Sequence, residues 1–357
     1  MFLAELTIEN LRCIEKAELQ FGPRTNLVFG ANGAGKTTIL EAAYLLGRGR
    51  SFRTRLNERI VQHGKPLGRA VGQVRNDTQT HRLGVEVRRG GAAKGGTSGR
   101  MDGADIRSFA DLAVAFPVQV MDPDAHKLIE DSATRRRRWL DWAVFHVEQG
   151  FATSWARYQR ALAQRNAALR TGRADFSIWD AELAREGEWM TAARERVAAA
   201  LKPYWTTSSS MLTDLDISLE FQAGWDRDTS LVDALGVTGS RDRDRKTTTV
   251  GPHRADLSLK VRGRVAREVL SRGQQKLAAV ALNLCQLEYL KREHGLQSTV
   301  LLDDPSAELD RDHLGRFIER VRALETQIIV TALDRDTPLF DAPETVFHVE
   351  QGGVFQV

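Results

Sequence analysis

The sequence predicts an α/β protein, with a mixed sheet-and-helix core assembled from both ends of the chain and a mainly helical lobe inserted between them. Three observations lead there. A glycine-rich loop lies between an apolar strand and a helical stretch near the start. From about Ala133 to Leu201 apolar residues recur at helical spacing. After Gly251 strands and helices alternate again. The expected division is a core of residues 1–125 and 248–357 around an inserted lobe of residues 126–247.

The chain has 357 residues, 42% of them hydrophobic and 27% charged, the balance of a folded chain with a large core. No run approaches the roughly 18 to 20 apolar residues that span a bilayer. Glu5 and Glu9 stand where a signal peptide is basic and then apolar, so a cytoplasmic location is expected and a membrane partner is not. Cys13 and Cys285 match no metal or redox spacing, and two cysteines cannot make a disulfide framework. The net charge is +4, but between Ser132 and Arg173 nine arginines face only Asp141 and Glu148, which leaves the rest of the chain net acidic. That segment is a candidate phosphate-contacting surface; equally, Arg135 to Arg138 fit a solvated helix start paired with acidic residues.

Taken in order, Leu3 to Ile8, Ile14 to Phe21 and Asn26 to Phe29 read as strands, and Ile39, Ala42, Ala43 and Leu46 mark the helix after the glycine loop. Arg69 to Arg75, His81 to Arg88 and Phe116 to Met121 read as further strands, with Arg89 to Arg100 a loose hairpin loop. In the helical lobe Trp155, Tyr158, Leu162 and Leu169 form one stripe, and Trp179, Leu183, Met190, Ala193 and Val197 another, best explained by packing between antiparallel helices. The alternating-sign run Ser240 to Lys246 reads as a solvated loop. Strands follow at Asp256 to Val261, Thr299 to Leu302 and Gln327 to Thr331, with helices at about Ser271 to Glu293 and His313 to Leu324.

Gly30, Ala31, Asn32, Gly33, Ala34, Gly35, Lys36 and Thr37 satisfy the P-loop pattern G-x-x-x-x-G-K-[ST] in its required strand-loop-helix setting. The glycines let the backbone wrap phosphate, Lys36 reaches the β and γ phosphates, and the Thr37 hydroxyl is a Mg²⁺ ligand. Thr38 follows as a further residue of the phosphate site. A second Mg²⁺ carboxylate belongs at the end of a neighbouring apolar strand, which Thr299 to Asp303 supplies. Asp304 then suits a general base for the attacking water. Gln119, near the end of another apolar strand, offers a side-chain oxygen to the metal or water shell. Ser271, Gly273 and Gln274 open a helix and so form a second anion site.

Order and wording of these motifs resemble the ABC-type ATPase heads of the SMC/Rad50-like class, and within it the RecF family of bacterial recombination mediators. The resemblance runs from Asn10-Leu11-Arg12 through Gly49-Arg50-Ser51-Phe52-Arg53, Arg136 to Asp141, Gly251-Pro252-His253-Arg254, Leu270 to Gln275 and Pro305 to Asp310, with 174–243 its least diagnostic part. It implies ATP and Mg²⁺ as cofactors, with Arg12 and Asp310 as further nucleotide contacts. It implies an ATP-dependent homodimer that sandwiches nucleotide between the P-loop of one copy and the Ser271 motif of the other. It also implies DNA, single-stranded and gapped duplex, as the ligand of that dimer, with RecO and RecR as partners in loading RecA and supporting the SOS response. Most ABC ATPases carry Glu where this chain has Asp304, so a weak, DNA-stimulated ATPase is expected; many carry a switch histidine where this chain has Thr331. A transporter subunit would lack these segments, a metabolic kinase would leave Ser271 unexplained, and a long coiled-coil arm does not fit an insertion this short and broken. An ABC-type ATPase serving a non-DNA protein partner is the alternative.

Overall fold

Alternating apolar and polar side chains build β1 (Phe2–Leu11) and β2 (Ile14–Gln20), a hairpin whose last pair is Leu11 with Ile14. The short apolar β3 (Thr25–Phe29) leads through the glycine loop into α1 (Lys36–Arg48), and β4 (Leu67–Arg75), β5 (Thr80–Arg88), β6 (Gly96–Met101) and β7 (Ala104–Asp105) complete an antiparallel sheet in the order β2-β1-β4-β5-β6-β7. Part of the stretch expected as a loose loop, Gly96 onward, is therefore strand β6; backbone pairing with β5 outweighs its glycine content. α2 (Phe109–Ala115), opened by a Ser108–Asp111 capping box, and β8 (Val118–Met121) follow.

The computed structural model describes residues 1–76, 78–90, 95–173, 175–307, 309–336 and 342–357, so 91–94 of the expected hairpin loop and Glu308 of the Pro305 to Asp310 motif lie outside the described residues. It divides into two units, Met1–Ala125 with Lys291–Val357, and His126–Leu290.

The second unit contains α3 (Lys127–Glu130), α4 (Ala133–Val147), α5 (Phe151–Arg170), α6 (Asp180–Leu212), β9 (Ile217–Gln222), α7 (Leu231–Val237), α8 (Gly239–Arg245), β10 (Asp256–Val261), β11 (Arg264–Val265), α9 (Ala266–Val269) and most of α10 (Arg272–His294). Residues 248–290, assigned to the core on sequence, group here instead. The reason is pairing: β10 runs antiparallel to β9 from Asp256↔Gln222 to Val261↔Ile217, and Arg136 of α4 binds Asp256. Tyr158, Leu162 and Leu169 are buried as the helical stripe requires, but Trp155 is 45% exposed and stands outside the packing. The run expected as a solvated loop is helix α8, because Asp242 is fully buried against Arg165 of α5.

Back in the first unit, β12 (Thr299–Leu302), β13 (Ile328–Ala332), β14 (Thr345–Glu350) and β15 (Gly353–Gln356) join β3 and β8 in a second sheet ordered β15-β14-β3-β13-β12-β8, with α11 (Arg311–Arg322) connecting β12 to β13. All pairings in it are parallel except β14 with β15. Leu3, Leu6 and Ile8 of the first sheet, Ile39, Leu40 and Leu45 of α1, and Val28, Leu301, Ile329 and Phe347 of the second form one buried cluster. Each such side chain contributes about 1.5–3 kcal/mol on burial, so the helix behind the glycine loop is held from both sides.

Candidate functional site

The glycine loop fills the turn between β3 and α1. Gly30 and Gly35 adopt φ of 149° and 123°, and at Gly30 a Cβ would lie 2.2 Å from the Val349 carbonyl oxygen, so no side chain fits there. Ala31, Asn32 and Gly33 are exposed, whereas Ala34, Gly35 and Thr38 are buried. The base of the loop is pinned: Gly352 N–H donates to Ala34 O at 2.9 Å and Thr38 N–H to Gly35 O at 2.9 Å. The Lys36 ammonium donates to the carbonyls of Gly30 (2.5 Å) and Ala31 (3.0 Å). Burial pushes its pKa down, while the charges of Asp304 and Asp303 pull it up.

Thr37 Oγ1 donates to the Asp303 carboxylate, 2.9 and 3.0 Å from its two oxygens, which brings the two expected metal ligands together. The strands that lead to them are not neighbours, however: β13 lies between β3 and β12. Thr331, on that intervening strand, closes the gap. Its hydroxyl donates to Asp303 Oδ1 at 2.9 Å and accepts from Asp304 N–H at 2.9 Å. Asp304 itself has φ 46°, a left-handed conformation that costs a non-glycine residue about 1–3 kcal/mol and is held here by its neighbours, with Ser306 Oγ donating to Asp304 Oδ1 at 3.1 Å. Burial raises the Asp303 pKa; Thr331, Thr37 and the charge of Arg53 lower it, and Asp304 raises it again. The Thr37 hydroxyl and the dehydrated Asp303 carboxylate are hard oxygen donors, a set that fits Mg²⁺. Among the described residues no group of three or more His, Cys, Asp or Glu could hold a metal ion.

Gln119 is on β8, the strand beside β12. It lies opposite Val300 in the β8–β12 register, three residues short of Asp303, or roughly 10 Å back along the strand, whereas Met121 O, at the strand end, accepts from Asp303 N–H. Arg12, at φ 52° in the β1–β2 turn, places Nε and Nη2 each 2.9 Å from the two oxygens of Glu41. Asp310 caps α11, accepting from Asp312 and His313 N–H at 3.1 Å each. In the second unit Ser271 and Gln274 form a reciprocal cap on α10: Ser271 Oγ accepts from Gln274 N–H (3.3 Å) and Gln274 Oε1 from Ser271 N–H (2.9 Å). Ser271 and Gly273 are exposed there. Of the basic segment, Arg136 and Arg165 are buried and committed to Asp256, and to Asp180 and Asp242, so they are structural; Arg135, Arg157, Arg160, Arg170 and Arg173 are exposed.

The family model described as "RecF/RecN/SMC N terminal domain" matches residues 2–353. "DNA replication and repair protein RecF" of Azotobacter vinelandii is 38% identical over 100% of this chain and 99% of its own length, and that of Stutzerimonas stutzeri 39% identical over 100% and 98%. The chain belongs to the RecF family. A solved structure described as the recombination mediator protein RecF-ATP in the RecFOR pathway aligns with 100% of the chain and 97% of its own at a TM-score of 0.89 and 24% identity, a likeness of fold. The RecF-type ATPase head is thus the architecture in which the P-loop and its carboxylates sit.

Two residues of this RecF-family site escape a motif search. Thr331 stands out only as a missing histidine, and its role as a bridge needs the strand order. The signal for Glu41 is that it is the single carboxylate of α1, amid Ile39, Leu40, Ala42 and Ala43 and one turn after Thr37.

Proposed function

We propose that the chain is an ATP-dependent DNA-binding protein of recombinational repair and replication-gap processing, in which nucleotide controls a dimeric clamp. The contact of Thr37 with Asp303 beside the Lys36 loop carries this reading, because it is the hard-oxygen pair a nucleotide-bound Mg²⁺ requires. Full-length relatives named as DNA replication and repair proteins support it.

Backbone amides of residues 30–35 and the N-terminus of α1 cradle the phosphates, and Lys36 turns to them from the Gly30 and Ala31 carbonyls. Thr37 and Asp303 would hold Mg²⁺, which would supply charge neutralisation to the phosphates. Asp304 orients water and accepts its proton; the short side chain makes turnover slow, a weak DNA-stimulated ATPase. In a C2 pair the exposed Ser271 cap of one copy meets the nucleotide of the other, so hydrolysis removes the ligand that joins them. Arg12 and Asp310 line the same nucleotide. The exposed arginines of α4 and α5 contact phosphate of gapped or single-stranded DNA, with RecO and RecR as partners in loading RecA, in the cytoplasm; no helix of the described residues is long and apolar enough to cross a membrane.

Light scattering with Mg²⁺ and ATP, with and without gapped DNA, tests this. ATP is expected to double the mass, and the dimer to bind DNA with an affinity that falls steeply with salt. A monomer that hydrolyses ATP indifferently to DNA would point instead to a protein partner and end the clamp reading.

A further inference from the structure

Thr331 is fully buried in β13, where its neighbours Ile329, Val330 and Ala332 are apolar, so its hydroxyl has to find partners inside the protein. It finds both aspartates of the site. The Asp304 N–H can only donate, which leaves the hydroxyl proton for Asp303 Oδ1 at 2.9 Å in preference to the Leu302 carbonyl at 3.5 Å. A directed chain therefore runs from the Asp304 backbone through Thr331 to the Asp303 carboxylate. Thr37 lies about as close to one oxygen of that carboxylate as to the other, at 2.9 and 3.0 Å, whereas Thr331 binds Oδ1 alone and so sets its rotation. At the other end of the chain, Asp304 keeps φ 46° only while its surroundings hold it, and among the bonds described Thr331 holds its backbone and Ser306 its side chain. Branching at Cβ confines χ1 of Thr331, so the hydroxyl that makes both contacts has little freedom to turn.

Resting on the nucleotide reading above, we propose that Thr331 is a positioning residue that holds the Mg²⁺ carboxylate and the general base in one fixed relation. Its hydroxyl is committed to Asp303 and Asp304, so it does not stand in for a histidine that reaches phosphate; it acts on nucleotide only through the two aspartates. Loss of the hydroxyl frees the Asp303 carboxylate to rotate and the Asp304 backbone to leave its left-handed conformation, and both faults fall on turnover.

The test is turnover of the full chain at saturating ATP and Mg²⁺, alongside binding of a fluorescent ATP analogue with and without Mg²⁺. Thr331→Val keeps the shape and removes the hydroxyl. Its analogue affinity without Mg²⁺ should stay within about twofold of wild type, the Mg²⁺ concentration needed for tight binding should rise about tenfold, and turnover should fall about thirtyfold. Thr331→Ser, which restores the hydroxyl without the branch, should recover most of that turnover. If the valine variant does not fold, Thr331→Cys carries the test, because a thiol is a weaker donor and acceptor. In an Asp304→Asn background Thr331→Val should slow the residual turnover by no more than about twofold, since both changes then act on one group; a further loss of about thirtyfold would show that Thr331 does not work through Asp304 and would overturn the proposal. Wild-type turnover and Mg²⁺ dependence in Thr331→Val, with Asp304→Asn inactive, would overturn it too while sparing the nucleotide site. If Asp304→Asn turns over as fast as wild type, the base falls from the nucleotide reading and takes this proposal with it.

Discussion

Buried charge is handled in opposite ways in the two units. In the second, each buried guanidinium meets carboxylates: Arg165, fully buried, binds Asp180 and Asp242 at 2.7 Å each, Arg136 binds Asp256 at 2.8 Å, and Arg194 binds Asp141 at 2.7 Å. In the first, the Arg12–Glu41 ion pair aside, Asp303 is held by the hydroxyls of Thr37 and Thr331, Asp304 by that of Ser306, and Lys36 by two carbonyls. Charges satisfied by opposite charges hold a fold. Like charges set side by side on neutral partners, one of them on a strained backbone, are arranged for an ion and an anion still to come. The same residue types therefore carry structure in the second unit and, at the glycine loop of the first, fit the chemistry proposed above.

Removing Arg165 should produce the largest effect. Arg165→Leu leaves Asp180 and Asp242 buried without a cation and is expected to cost about 3–5 kcal/mol in a urea titration; a loss below about 1 kcal/mol would show that the network is not what holds α5 to α8. Lys36→Met should leave nucleotide-free stability within about 1 kcal/mol, since its ammonium binds only carbonyls among the contacts described, yet weaken ATP binding by more than about a hundredfold and abolish the ATP-dependent dimer. Asp303→Asn sharpens the contrast further. It keeps an oxygen for Thr37 and Thr331 while removing a buried charge, so stability should hold or rise slightly as Mg²⁺-dependent turnover falls about a hundredfold. A variant destabilised as strongly as Arg165→Leu would make Asp303 a structural carboxylate after all.

The legible parts of the site were those that local chemistry dictates. A strand, a glycine loop and Lys36-Thr37 must follow one another directly to wrap phosphate, and an apolar strand ending in Asp303 carries its own signal. Strand order has no such local signature, so the insertion of β13 between β3 and β12, and with it the bridging role of Thr331, could not be read. Distance in sequence hid the rest. Alternating charges from Ser240 to Lys246 look solvated until Arg165, 77 residues away from Asp242, is seen to bind one of them. The same holds for residues 248–290, whose allegiance depends on β10 pairing with β9, and for Gln119, whose register with Val300 only the sheet reveals.

The smallest expected effect concerns His253 of the second unit, whose ring nitrogens meet neutral groups. Its Nδ1 lies 2.7 Å from the Tyr158 hydroxyl and its Nε2 3.0 Å from Thr248 O. The carbonyl can only accept, so Nε2 carries the proton and Nδ1 accepts from Tyr158, which suits the neutral ring. Burial, with Arg254 and Arg137 nearby, pushes the pKa down to about 4, against the contrary pull of Thr248 O and Asp242. Between the ordinary histidine value and about 4 the unfolded chain therefore binds a proton that the folded chain refuses, so stability is complete above pH 6.5 and falls on acidification. The loss at pH 5 should be about 2 kcal/mol, read as a lower urea midpoint than at pH 7. In His253→Gln that part of the pH dependence should vanish. If it persists, the acid sensitivity belongs to the carboxylates of the paired networks, and the interior of the second unit is less fully balanced than its ion pairs imply.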